Sequence, residues 1–464
     1  MIPDRLLPIL DAVRPLATRF DEAGHRIYLV GGIVRDLVLG RPLQGGDIDL
    51  TTDAPPEVTA ALVAGWADAV WDQGARFGTV GLKRGDTVFE ITTHRAEAYH
   101  PGSRKPDVSF AAEVEADLSR RDFTVNAMAL RVTGAPDEAP ELIDPFGGVA
   151  DLAAGVLRTP QAPEVSFTDD PLRMLRAARF LAGYGLVPEE PLVAAVRSLV
   201  DRLEIVSAER IRDELSKLLV VEDPSPGLWF LVDTGIADLV LPELPAMRVE
   251  QDPIHRHKDV LAHTIAVVAK TSPNLTVRMA ALLHDVGKPK TRSIGPKGVS
   301  FHHHEVVGAR MARERLRALR FSNDAVEAVG QLVYLHLRFH GYGDDAWTDA
   351  AVRRYVRDAG PLLAELNELT RCDCTTRNER KARQLAARMD ALEARIDELR
   401  AREEMESIRP DLDGQAVMAH LGLAPGREIG EALAMLLEAR LEEGPLEEAD
   451  AYARLDAWWA ARQG

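Results

Sequence analysis

The sequence of 464 residues holds only two cysteines, Cys372 and Cys374, in the run RCDC. A disulfide between them would close a very tight ring. Their spacing is also not the C-x-x-C of a zinc or redox motif, so both are expected as reduced thiols. No apolar run reaches the roughly 18 residues that span a bilayer. The opening MIPDRLLPILDAVRPLATRF has no cationic start, continuous apolar stretch or small-residue cleavage site. It reads as an amphipathic helix, and the expected compartment is the cytoplasm, away from membranes. Positive charge is also short: 56 Lys and Arg against 73 Asp and Glu leave a net charge of −17, which argues against broad nucleic-acid affinity. Two local stretches run the other way, RMARERLRALR (310–320) and RNERKARQLAARMDALEAR (377–395). The ordinary reading of each is a solvated helix face. There is no internal repeat and no low-complexity segment.

The length fits two to four domains, and 46% hydrophobic with 28% charged residues marks a globular chain. Residues 26–130 mix short β-branched runs with helical segments, which reads as a mixed or antiparallel sheet with helices. From about residue 168 the periodicity is almost wholly helical. The expected fold class is α+β, with a sheet-containing head over 1–150, a helical neck over 151–250, a histidine-rich helical body over 251–376 and a helical tail over 377–464.

Chemistry concentrates first in VGGIVRDLVLGRPLQGGDIDL (30–50). Alternate residues of a strand share a face, so Asp47 and Asp49 would stand together while Ile48 and Leu50 face a core. Two such carboxylates repel unless a cation neutralises them. Mg2+ binds through one or two carboxylates plus substrate phosphates, and a two-metal site stabilises both oxygens of an in-line displacement. Gly31 and Gly32 follow a strand and open a helix, where backbone N–H groups can approach a triphosphate. Arg35 and Asp36 on the first turn fit positioning roles, and Glu90 is the candidate third carboxylate. In RRDFTVNAMAL (120–130), Arg120, Arg121, Asp122 and Asn126 offer phosphate, ribose and base contacts; a charged helix cap is the plainer alternative. In DDPLRMLRAARF (169–180), Asp170 and Arg173 share a helix face, either as a recognition pair or as an intrahelical ion pair.

Taken in order, GGIVRD…DID, RRDFTVNA, DPFGG, DDPLRMLRAARF and ERIRDEL resemble the class II nucleotidyltransferases, the tRNA CCA-adding enzymes and bacterial poly(A) polymerases. The resemblance covers about residues 20–225 and implies a polymerase-beta-like head. It implies Mg2+ on Asp47 and Asp49 and ribose contacts from Arg120, Arg121 and Asp122, while Glu90 stays either the third catalytic carboxylate or a simple strand residue. It implies a hinge at Asp144–Gly148. It also implies reading of the incoming base by Asp169, Asp170 and Arg173, with Arg176 and Arg179 of the same motif among the nucleotide-binding residues. The implied partners are CTP, ATP and the tRNA 3′ end. Asp169 stands where the family commonly has glutamate, and the loop RAEAYHPGSRKPDVSF (95–110) departs from the family form.

A second set lies in the body: HRHKDVLAHTIAVV, RMAALLHDVGKPKT, FHHHEVVGA and RCDC. Imidazole and carboxylate together suit divalent transition metals. His263, His284, Asp285 and Asp373 make an H…HD…D set that resembles the HD superfamily of metal-dependent phosphohydrolases, over about 253–375. The resemblance implies Ni, Mn or Co, and phosphatase or phosphodiesterase activity as a second function. His304, with His336 or His340, would extend the set to a second metal, against the reading of each as an ordinary surface or core histidine. The tail resembles the C-terminal segment of HD-containing CCA-adding enzymes, and its charged helix is a candidate tRNA contact. Three other readings compete: a poly(A) polymerase, an enzyme adding only CC or only A, and a phosphohydrolase with a sensory nucleotidyltransferase head. The acidic charge and the HD block weigh against the first, and the presence of RRDFTVNA and DDPLRMLRAARF against the last.

Overall fold

The computed structural model describes residues 4–42, 47–71, 78–98, 107–136, 138–249, 259–295, 298–339, 347–374, 379–403 and 408–463. Two expectations fall outside them: the middle of the 95–110 loop, and His340. The chain divides into two units, Met1–Val240 and Leu241–Gly464. The α+β expectation holds, with the large sheet in the first unit and a helical second unit carrying one short hairpin among its described residues.

In the first unit, helix α1 (Leu7–Glu22) buries Leu10, Val13, Leu16, Ala17 and Phe20 along one face. Strand β1 (Ile27–Val30) is buried at all four positions and so runs through the middle of the sheet. It ends at Gly31, whose φ of 73° lies in the left-handed region that suits glycine, and helix α2 (Gly32–Val38) follows. Then come β2 (Ile48–Thr52), α3 (Pro56–Val63), and the strands β3 (Ala69–Trp71), β4 (Thr79–Arg84) and β5 (Thr87–Thr93). Strands β6 (Arg95–Ala98) and β7 (Asp107–Phe110) form a separate hairpin. Helix α4 (Val114–Ser119), β8 (Ala129–Val132), β9 (Glu141–Ile143) and α5 (Gly148–Ala154) complete the head. The sheet order is β3-β4-β5-β2-β1-β8-β9. Only β2 and β5 pair in parallel, setting Asp49 opposite Glu90.

Burial of Ile48 and Leu50 fixes that register. Each contributes roughly 1.5–3 kcal/mol, and a slip of one residue would turn both to solvent and drive Asp49 inward. The neck consists of α6 (Pro163–Asp169), α7 (Leu172–Tyr184), α8 (Glu190–Leu199) and α9 (Ala208–Leu219). Helix α7 buries Leu172, Met174, Leu175, Ala177, Ala178, Phe180 and Leu181. Its Phe180 ring packs 5.2 Å from that of Phe123, which ties the RRDF segment to the neck.

In the second unit, helices Val260–Lys270, Leu275–Leu283, His304–Ala318, Asn323–Leu335 and Leu363–Asp373 build the body. Asp259 and Asn274 cap the first two with their side chains. Helices Gly414–Leu421, Arg427–Glu443 and Glu448–Gln463 enclose a core of their own around Val417, Leu436 and Leu455. Arginines of both basic stretches are paired within this unit: Arg313 and Arg317 with Glu327, Arg315 with Glu243, Arg395 with Asp349. Cys372 and Cys374 are free thiols.

Candidate active site

The local physics of β2 sets the head site. Asp49 is exposed between buried Ile48 and Leu50, and Asp47 is exposed just before the strand. Although Asp49 keeps a solvent-facing surface, the protein around its carboxyl partly desolvates it; this, with the charges of Glu90 and Asp47, pushes its pKa up, while Arg121 pulls it down. Three carboxylates gathered in this way, with two opposing the ionisation of Asp49, are a donor set suited to a hard divalent cation. Asp47, Asp49, Gly32 and Asp36 line a cleft of about 1240 Å³, together with Arg179, Tyr184 and Lys217 from the neck.

The arginine-rich segment is held rigidly behind it. Asp117, fully buried on α4, accepts hydrogen bonds from Arg120 and Arg121. Asp122 is buried and accepts from the Phe123 backbone N–H at 2.9 Å, from Asn126 at 3.0 Å and from Arg176 at 2.8 and 2.5 Å. Burial alone would raise its pKa, but Arg176 and Asn126 outweigh this and bring it down to about 2. Arg35 is buried. It forks onto Asp36 and donates to Asn126 at 2.7 Å, and its guanidinium lies 4.1 Å from the Tyr184 ring centre. Arg35 and Asn126 are therefore internal braces between head and neck.

Asp170 and Arg173 do not spend themselves on one another. The Asp170 carboxylate accepts from the Leu172 N–H and from Arg210. Arg173 donates to Ser166 at 2.8 Å and to the carbonyl of Arg120 at 2.5 Å, which ties this pair directly to the RRD segment. Asp169 is the last residue of α6. Arg179 pairs with Glu214 at 2.7 Å. Asp117, Ser166, Arg210 and Glu214 are absent from the sequence reading as site residues. The spacing of Asp117 three and four residues before the arginines is the signal that could have found it.

The body places its ligands at helix ends. His284 and Asp285 follow Leu275–Leu283, His304 opens its helix, His336 follows Asn323–Leu335, and Asp373 closes Leu363–Asp373. His263 lies in the first turn of Val260–Lys270. The Nδ1–H groups of His284, His304 and His336 donate to the carbonyls of Ala281, Phe301 and Val333 at 2.7, 2.8 and 2.6 Å. In the neutral rings that leaves the Nε2 lone pairs facing inward. His284 Nε2 lies 3.3 Å from His263 Nε2, and His304 Nε2 lies 3.3 Å from His336 Nε2. Lone pairs so close repel unless a proton or a cation lies between them. His263, His284 and Asp373 form one donor group, and Asp285, His304 and His336 form another. Asp285 lies between them, with Oδ2 3.3 Å from His284 and Oδ1 3.5 Å from His304. Burial works against a charged His284, but Asp285 and Asp373 overcome it and raise its pKa to about 10. Gly287 lets this turn touch the next helix: a Cβ there would sit 2.2 Å from the His304 carbonyl.

Carboxylates gathered on an interior strand beside a glycine turn suit metal-dependent nucleotidyl transfer as a class of chemistry, and known proteins narrow the class. Residues 27–158 match the poly A polymerase head domain, 185–247 the probable RNA and SrmB-binding site of polymerase A, and 260–396 the HD domain. The A-adding tRNA nucleotidyltransferase of Deinococcus radiodurans is 34% identical over 444 residues, covering 92% of this chain and 94% of that protein. The CCA-adding enzyme of Leuconostoc mesenteroides is 37% identical over 238 residues, or 51% of this chain and 55% of that one. The Bacillus stearothermophilus CCA-adding enzyme in complex with CTP shares the fold, with a TM-score of 0.69 at 24% identity over 100% of this chain and 99% of that one. The chain belongs to the tRNA nucleotidyltransferase family that includes these A-adding and CCA-adding enzymes.

Proposed function

We propose that this chain adds CCA to the 3′ end of tRNA from CTP and ATP without a nucleic-acid template. The observation that carries this reading is Asp49, exposed on β2 opposite Glu90 and beside Asp47 at the mouth of the cleft. When bound, Mg2+ supplies charge neutralisation to these carboxylates and to the phosphates of the incoming nucleotide. The N–H groups at the Gly31–Gly32 turn receive the triphosphate, and Arg120 and Arg121 add positive charge. Asp170 presents an acceptor and Arg173 a donor. Cytosine and adenine each carry an amino donor beside a ring-nitrogen acceptor and satisfy both, whereas uracil and guanine leave buried groups unpaired.

The reading divides labour along the chain into a catalytic head over 1–150, a base-reading neck over 151–250, an HD body over 251–376 and a tRNA-binding tail over 377–464. In the body, His263, His284 and Asp373, with Asp285, His304 and His336, would hold Ni, Mn or Co. When bound, such a metal supplies Lewis acidity toward water and a phosphoryl oxygen, which suits phosphoester hydrolysis.

One observation favours a second reading: a relative aligned over 92% of the chain is an A-adding enzyme. Transcripts ending at the discriminator base and at CC separate the two. A CCA-adding enzyme completes both from CTP and ATP, and an A-adding enzyme extends only the second. Arg173→Ala is expected to lose discrimination against UTP and GTP before it loses tRNA binding. Retained discrimination would remove Arg173 from base reading.

A further inference from the structure

Both arginines of the RRD segment converge on Asp117. Its side chain has no solvent exposure. Oδ1 accepts from Arg120 Nε at 3.0 Å and Nη2 at 2.5 Å, and Oδ2 accepts from Arg121 Nη2 at 3.2 Å. One negative charge against two positive ones leaves a net cationic patch. Arg121 reaches from there to the glycine turn: a Cβ built on Gly31 would meet its Nη1 at 3.2 Å and Asp49 Oδ2 at 3.8 Å. Its Nε is buried with no hydrogen-bond partner among the described residues. Arg121 thus stands between two carboxylate sites, Asp117 behind it and the Asp47–Asp49–Glu90 group before it, and its hydrogen bond goes to Asp117.

We propose that Asp117 is a positioning residue for nucleotide binding, holding Arg121 beside the Gly31 turn and keeping its guanidinium off Asp49. This rests on the nucleotidyl-transfer reading of the head. A guanidinium freed from Asp117 would fork onto Asp49 and take the oxygen lone pairs that a divalent cation needs. Loss of Asp117 therefore acts as competition with magnesium, which loss of a merely structural ion pair would not.

The test is equilibrium binding of CTP to the full-length chain, without tRNA, across a magnesium titration. For Asp117→Asn the magnesium midpoint is expected to rise by about tenfold or more, and for Asp117→Asn/Arg121→Gln to return toward the wild-type value with CTP held more weakly. Arg121→Gln alone keeps the proposal testable should Asp117→Asn fail to fold: its midpoint is expected at or below that of the wild type. Uniformly weaker CTP binding in Asp117→Asn with an unmoved midpoint would overturn the proposal, as would a raised midpoint in Arg121→Gln. A wild-type chain that binds no CTP at any magnesium concentration would instead sink the nucleotide reading itself.

Discussion

His94 is fully buried in the head. Its Nδ1 lies 2.8 Å from the Thr51 hydroxyl, which itself donates to the Thr92 carbonyl, so Nδ1 carries the proton. Its Nε2 is buried with no hydrogen-bond partner among the described residues. Burial pushes its pKa down from 6.5 to about 4. Above pH 6.5 the ring is neutral folded or unfolded, and the neutral burial costs nothing in protonation. As pH falls from 6.5 to about 4 only the unfolded chain takes up the proton, so stability is lost across that window, by about 3 kcal/mol at most. His94→Gln should flatten the fall in Tm between these limits, and parallel wild-type and variant curves would contradict this. Asp122 works in the opposite sense, as a buried charge that needs its partners. Asp122→Ala leaves Arg176 without its buried carboxylate and is expected to cost about 3–5 kcal/mol in urea unfolding. At this scale the sequence was only partly legible. Asp122 is visible in its motif, but Asp117 has the spacing of an ordinary solvated helix pair, and only packing around α4 makes it a buried anchor. Arg35 reads as a positioning residue by its place on the first turn of α2, but that Asn126 and Tyr184 meet its guanidinium follows only from the packing.

Among the elements, β2 was the most legible. Its polar and apolar residues alternate, and alternation carries the face of each side chain. The partner of Asp49 was harder to identify, because β2 and β5 pair in parallel across an intervening helix and two strands. In the body, adjacency marked His284 and Asp285, whereas His304 and His336 join the site only because their helices end there. The turn between Leu275–Leu283 and Lys288–Thr291 rests on Gly287. Gly287→Ala would press a Cβ into the His304 carbonyl. It is expected to displace His304 and lower the transition-metal content measured by elemental analysis, while leaving tRNA extension by the head intact. Full metal loading in that variant would show that the close approach is not needed.

For the molecule as a whole, the two candidate sites lie in different units, the carboxylate cleft in Met1–Val240 and the histidine–aspartate groups in Leu241–Gly464. His284→Ala should abolish metal-dependent phosphoester hydrolysis by the purified chain and leave nucleotide addition unchanged. Hydrolysis that survives the substitution would place that activity outside the body site. The net charge of −17 does not conflict with the proposed tRNA partner, because phosphate contacts require local cations, not a basic average. The described residues include no helix long and apolar enough to cross a membrane. The central claim is that the carboxylates of β2 carry out nucleotidyl transfer to tRNA. It is tested most directly by single-nucleotide product analysis on a tRNA transcript ending at its discriminator base, with Mg2+, CTP and ATP, for the wild-type chain and Asp49→Asn. The account predicts a product three nucleotides longer that then stops, and a loss of about a thousandfold or more in the variant. Wild-type protein that leaves both this transcript and one ending at CC unextended, or Asp49→Asn that extends it at the wild-type rate, would contradict it.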